Sequence, residues 1–314
     1  MSLENGMLVQ HASLGLGKIV ALEPKAVHVF FAASDARFAT KLRLPMALSL
    51  LTPAAAPDAW LSGLSGFALD EKTGRYGRAG SWLSHGEAVA RFLEAFPEGF
   101  ADPRYVATTG KERSDQRASR WRRAHEAFVE ELGNGQGERL LEAGDVAGLV
   151  ERAVRVERNV RTLHKDADKI SLEVALKDPG AARTFFAALF ELLASSPDQT
   201  RFEALAEATA ALTPDATPES RWPTVTLLPF VARPELHMLL RPRFACDVAQ
   251  RLGLELAYSA APNWKTYSAL LGSAALLLEK LRPLGAKDHV DVEAFMHVST
   301  AKQPKPRPEL HAVT

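Results

Sequence analysis

His289, Glu293 and His297 recur every four residues, so on a helix they share one face where a divalent cation could bridge them. The same segment also reads as a plain core helix, because Asp291 is a natural N-cap and Val292, Phe295 and Met296 are apolar. A second polar group gathers His237, Arg241, Asn263, Trp264 and Tyr267. Trp264 and Tyr267 lie three apart at a helix start and could offer a stacking surface to a base or ligand. Aromatics so spaced equally serve as partly buried core with locally satisfied polar tips. A third group is basic: Arg104 to Arg123 holds seven basic residues against two acidic ones. Arg113, Arg117 and Arg120 share a helical face and Arg123 follows, bordering an apolar stripe of Trp121, His125, Phe128 and Leu132. These four arginines are the candidate nucleic-acid contacts, neutralising phosphates and releasing counterions. They could instead lie over core edges or pair with distant acids. A weaker series, Arg152, Arg155, Arg158 and Arg161, drifts round its helix.

Other chemistry is excluded. The chain has no G-x-S-x-G elbow, no H-E-x-x-H helix, no paired C-x-x-C and no Walker A loop. Its one cysteine, Cys246, stands in an apolar helical stretch and permits neither an intramolecular disulfide nor a multi-cysteine zinc site. No cofactor is expected. The 314 residues carry 38 basic and 38 acidic side chains, so any nucleic-acid contact must come from a local patch. An apolar content of 46% is ample for a buried core. The absence of a long apolar run and of a signal-peptide layout leads us to expect a cytoplasmic protein.

Two kinds of element must position these residues. Before residue 53 the pattern is β: Met7 to Val9, Gly17 to Leu22, Val27 to Phe31 and a weaker run over Phe38 to Leu44, punctuated by glycine and Pro24. Thr52 to Pro57, with two prolines, reads as linker. Beyond it helices are predicted over 58–66, 84–96, 111–132, 138–142, 145–164, 166–177, 179–194, 200–212, 242–252, 263–282 and 290–298. Loops are expected at 68–81, 133–138, 195–200 and 213–223. Several starts carry caps: Ser84 with Glu87 in capping-box spacing, Asp145 after Gly144, Asp178-Pro179, and Pro262-Asn263. Trp222 to Val231, with β-branched residues and two prolines, predicts an extended or broken segment, or else a Pro-kinked helix. Leu254 to Tyr258 could form a short strand, and residues after 299 read as a tail.

The segment Val9-Gln10-His11-Ala12-Ser13-Leu14-Gly15-Leu16-Gly17-Lys18-Ile19-Val20 is the most specific in the chain. A strand ending in valine-x-histidine runs into glycine-x-glycine, which suits a sharp reversal, and then a second apolar strand. Val27, Val29 and Phe31 alternate with His28 and Phe30 in a third. This is not a dinucleotide fingerprint, since Val20 stands where a third glycine is needed and no helix follows.

Over about residues 5–52 the pattern resembles the Tudor/SH3-like barrel at the C-terminus of UvrD/PcrA-type helicases. It is more distantly similar to the RNA-polymerase-interacting barrels of CarD and the transcription-repair coupling factor. The resemblance implies a protein-docking module carried by Val9, His11, Gly15, Gly17 and Phe30, with RNA polymerase or a DNA-repair protein as partner. A barrel of this size also serves elsewhere as a stabilising cap on a larger domain. The remainder resembles only bacterial proteins without an assigned activity, which implies no chemistry.

The expected architecture is α+β: a small N-terminal SH3/Tudor-like β-barrel (1–52), a linker (53–57), a large, mainly α-helical domain (58–298) and a tail (299–314). The expected function is a non-enzymatic binding protein. The alternatives are a metal- or ligand-dependent enzyme with its site in the helical domain, or a purely structural or assembly protein.

Overall fold

The computed structural model describes residues 3–31, 38–78, 82–106, 117–163, 171–254 and 256–301. Its N-terminal part is a curled, five-stranded antiparallel half-barrel. Strands β1 (Leu8–His11), β2 (Gly15–Glu23), β3 (Ala26–Phe31) and β4 (Thr40–Arg43) lead into a short helix α1 (Leu44–Leu50) and then β5 (Leu51–Pro53). The sheet order is β4-β3-β2-β1-β5. The segment from Thr52, expected as linker, therefore begins as an edge strand, with Thr52 opposite Gln10 and Pro53 opposite Val9. Proline is tolerated there because an edge strand can leave one N–H position unused.

Alternation sorts the strand residues onto two faces. Val9, Ile19, Val27, Val29 and Phe31 point inward and pack with Ala47 of α1 and Leu51 of β5. The reversal between β1 and β2 sits at residues 12–14, one step before the expected glycine pair, so Gly17 lies inside β2. A Cβ there would come within 2.7 Å of both Val29 and Phe31 side chains, and glycine is what allows β3 to approach so closely.

The opposite face of β3 is covered too. Helix α2 (Ala59–Gly63), capped by the Asp58 carboxylate on Leu61 N, and the hairpin β6 (Phe67–Asp70) and β7 (Arg75–Arg78) lie against it. This hairpin falls almost wholly in 68–81, where a loop is expected. Its strand character is weak in sequence and is fixed by pairing with the sheet, through a bridge of Phe38 with Gly77 and an Ala39 N to Tyr76 O bond of 2.7 Å. Phe30, Ala39, Leu61, Leu64 and Trp82 form this outer core, with Phe67 and Tyr76 at its margin. Lys18 Nζ ties it down by donating to Ser62 O and Leu64 O at the end of α2.

The larger core is helical. It comprises α3 (His85–Ala95), α4 (Pro103–Val106), α5 (Arg117–Glu131), α6 (Gln136–Glu142), α7 (Val146–Arg158), α8 (Leu172–Ala175), α9 (Pro179–Leu193) and α10 (Gln199–Leu212). It continues through α11 (Arg221–Ala232), α12 (Pro242–Leu252), α13 (Trp264–Leu281) and α14 (His289–Ser299). The capping box of Ser84 and Glu87 and the caps from Asp145, Asp178 and Asn263 all form. Residues 254 and 256–258, a candidate strand, make no ladder.

The Trp222–Val231 stretch is helical as part of α11, with Pro223 in the first turn, where its missing N–H costs little, and Pro229 inside. An interior proline costs about 3 kcal/mol. Every residue from Trp222 to Ala232 is buried, and a single fully buried Leu or Phe returns about 1.5–3 kcal/mol, so burial outweighs propensity.

The two cores meet at Trp82-Leu83: Trp82 belongs to the outer barrel core, while Leu83 enters the helical one and donates its N–H to Arg251 O at 2.7 Å. Gly253, at φ +70° after α12, lets Arg78 and Trp82 lie against bare backbone.

Two glycines test this reading in opposite directions. Gly17→Ala should destabilise the protein by about 1–3 kcal/mol through overpacking. Gly272→Ala, in mid-α13 with open space around its Cα, should stabilise it by about 0.5–1 kcal/mol. Urea unfolding of both variants measures the signs, and equal signs would contradict the packing described.

Candidate functional site

The candidate residues of the final third converge on α14, but as a buried ion cluster. Glu293 is 1% exposed. Arg117 from α5 clamps it, with Nε 2.9 and 2.8 Å from the two carboxylate oxygens and Nη2 2.6 Å from Oε1. Arg241, at the N-cap of α12, adds Nη2 to Oε1 at 2.8 Å, and Trp121 Nε1 donates to Oε2 at 3.1 Å. Burial by itself would raise the Glu293 pKa. The two guanidiniums outweigh it and pull the group down to about 2, so it is an anion in the fold. Next to it Arg122 binds Asp288 (2.9 Å) and Asp291 (2.6 Å), and Tyr105 Oη donates to Asp291 Oδ1 at 2.5 Å.

This arrangement corrects the metal reading of His289, Glu293 and His297. Both oxygens of Glu293 are committed to N–H donors, and among the described residues no three His, Cys, Asp or Glu side chains are placed to hold a metal ion. The helical spacing is real, but the carboxylate it presents is already neutralised.

The His237 group is likewise dispersed. His237 and Tyr267 are sealed in the core, joined Nδ1 to Oη at 3.1 Å, and Tyr267 stacks on Phe202 with ring centroids 4.3 Å apart. Arg241 serves Glu293, and its guanidinium carbon sits 4.1 Å from the Phe244 ring centre. The Asn263 side chain accepts from Thr266 N as the α13 cap. Trp264 is half-buried against Phe202. These five therefore do not line one ligand site.

The basic helix turns inward as well. Arg113 lies outside the described residues. Arg117 is buried, Arg120 is half-buried, and of the three candidates described only Arg123 is exposed, its Nε 3.4 Å from Ser119 O. Three of the later series are paired, Arg155 with Glu131 and Glu151, Arg152 with the Glu131 backbone and Arg161 with Glu173, while Arg158 is exposed.

In the barrel, Val9, Gly17 and Phe30 are fully covered, and Gly15 (φ +74°) opens β2. His11 is buried and structural in geometry. Its Nδ1 accepts from Ser13 N and Leu14 N, both at 3.2 Å, and its ring meets Phe31 edge-on. What the structure leaves open is α1. Met46, Leu48 and Leu50 are 52%, 48% and 38% exposed, and only Ala47 of this helix is buried. Sequence reading overlooked α1; Pro45 at its first turn, followed by Met46, Ala47, Leu48 and Leu50, was the available signal.

Two outcomes follow for the buried cluster. Glu293→Gln removes the carboxylate that two buried guanidiniums share and should cost about 3–5 kcal/mol in urea unfolding, a loss under 1 kcal/mol arguing against the clamp.

The second concerns pH. Burial, aided by Arg233 and Arg117 respectively, lowers His237 to about 3 and His297 to about 4, whereas the unfolded chain protonates them near 6.5. Their contribution is therefore complete above 6.5 and is lost as pH falls toward the folded values; Glu293 adds a further loss between 4.5 and about 2. Unfolding free energy should fall steadily from about pH 6.5 to 4.5, less steeply in His297→Gln. A flat profile in the parent protein would refute it.

No protein-family model, curated protein or solved structure matches this chain, so the geometry above is the ground on which its function must be argued.

Proposed function

We propose that this protein is a non-enzymatic binding protein whose N-terminal half-barrel docks on a protein of the transcription or DNA-repair apparatus, RNA polymerase being the partner suggested by the sequence resemblance. The observation that carries the reading is the exposed apolar side chains of α1, of which Met46 and Leu50, four apart, share one side and Leu48 lies on another. Met46, Leu48 and Leu50 stand in solvent on a seven-residue helix whose one buried residue, Ala47, already completes the barrel core. Fully burying a side chain of this size is worth about 1.5–3 kcal/mol, so the pair Met46 and Leu50 makes a useful anchor for a partner. Of the strand residues that the resemblance implies for docking, Val9 is buried in the barrel core beneath that helix and Phe30 in the outer core on the other face of β3. Lys25 and Arg43, near the start of α1, supply positive charge at the edge of the patch, whereas Lys41 is paired with Glu23 at 2.9 Å.

The proposal does not extend to nucleic acid, because Arg117 is spent on Glu293 and the described part of the helix presents no arginine row to solvent.

Its test is a pull-down from bacterial lysate with the intact chain and with Met46→Glu/Leu50→Glu, each with nuclease. RNA polymerase or a repair helicase should be recovered by the parent, survive nuclease, and fall at least tenfold with the double variant at unchanged circular dichroism. Equal recovery by both proteins, or recovery of neither partner, would overturn the reading.

A further inference from the structure

His289 is 4% exposed and begins α14 at the floor of a cleft of about 630 Å³. One wall is a single face of α13, carrying Leu271, Ala275, Leu278 and Glu279 and continuing to Arg282; Leu236 and Pro197 close the other side. This volume falls in the range of small-molecule sites.

The orientation of the imidazole is set from behind. Its Nδ1 lies 2.9 Å from His237 O, and since a carbonyl only accepts, Nδ1 carries the proton. Burial lowers the pKa of the ring, opposed by that hydrogen bond and by the charges of Asp288 and Glu235, so the ring is neutral and Nε2 holds a lone pair. Among the described residues nothing donates to that nitrogen. In this it differs from His237, whose partnerless Nε2 is sealed inside the core. A buried acceptor of fixed tautomer thus opens on an apolar-walled cleft.

The rim adds charge. Glu279 is exposed and makes no ion pair with any described residue. Glu235 is bound by Arg233 at 3.1 Å. Arg233 also donates to Leu193 O and Ser195 O, which fixes its guanidinium beside Glu235, whose charge it offsets. The cleft therefore offers an acceptor in its lining and one carboxylate, Glu279, that no described cation has claimed, with Arg282 as the one cation among its lining residues.

We propose that this cleft binds a small organic ammonium ion with an apolar body, its N–H donated to His289 Nε2, its charge balanced by Glu279 and its hydrocarbon held by Leu236, Leu271 and Leu278. The site lies in the helical core and is independent of docking through α1.

The probes are phenethylamine, 2-phenylethanol and phenylacetate, which share a body and differ in the polar group. Each is titrated calorimetrically into the intact protein and followed by the imidazole ¹⁵N resonances of histidine-labelled material. Phenethylamine should bind saturably and shift one unprotonated Nε2 signal, while the alcohol and the acid bind at least fivefold more weakly. Glu279→Gln, at the surface, should weaken the amine about two- to fivefold. His289→Asn keeps an amide N–H for His237 O but removes the Nε2 acceptor, and should weaken it about tenfold or more. The proposal is overturned if the amine shifts no histidine signal, if the alcohol or acid binds as tightly, or if either variant binds the amine like the parent. The wild-type and Glu279→Gln measurements decide it even where His289→Asn does not fold.

Discussion

A carboxylate buried to 1% exposure among aromatic and aliphatic side chains is tolerable only when opposite charge and N–H donors meet both of its oxygens. Glu293 imposes that condition on three separate parts of the chain. Helix α5 must deliver Arg117 and Trp121 on one face, the start of α12 must deliver Arg241, and α14 must hold its depth and rotation between them. Apolar helices alone can slide by a turn at modest cost, because one methyl contact resembles another. A slide here would strand a charge in the core at a cost of several kcal/mol, a large part of the stability of an ordinary domain. Arg122 with Asp288 and Asp291 repeats the constraint one turn away, and Tyr105 ties α4 to the same carboxylate.

That requirement also explains why the candidate chemistry turned inward. Arg117 belongs by spacing to a basic face and Glu293 to a metal-like one, yet each is the other's counterion across 176 residues of sequence. The residues of α14 left with unspent polarity are those at its ends. His289 alone, among those considered, combines a buried ring, a fixed proton position and an opening to the outside.

The barrel shows a second consequence of burial on two sides. Strand β3 is covered on one face by the barrel interior and on the other by α2, the β6–β7 hairpin and Trp82. The barrel is thereby joined to the helical core, through Trp82-Leu83 and Gly253, and loses its flat outer face as a place for partners. Apolar surface remains on α1, at the end of the sheet, where Met46, Leu48 and Leu50 are exposed, besides the single residues Leu22 of β2 and Leu69 of β6.

Much of this was legible from residue types. Alternation over Val27–Phe31 marked β3, the Ser84–Glu87 spacing marked the start of α3, and Asp178-Pro179 marked that of α9, because each depends on interactions within a few residues of chain. The α+β division and the apolar stripe of Trp121, Phe128 and Leu132 were readable for the same reason. Only the tertiary structure decided the rest. It made a helix of Trp222–Val231 against its β-branched residues and prolines, a strand of Leu51–Pro53 and a hairpin of 67–78. It also chose, for every arginine and acid described, between solvent and a distant partner. Propensity and periodicity are local and worth tenths of a kcal/mol per residue, whereas burial and charge pairing are worth several and depend on what the rest of the chain brings alongside.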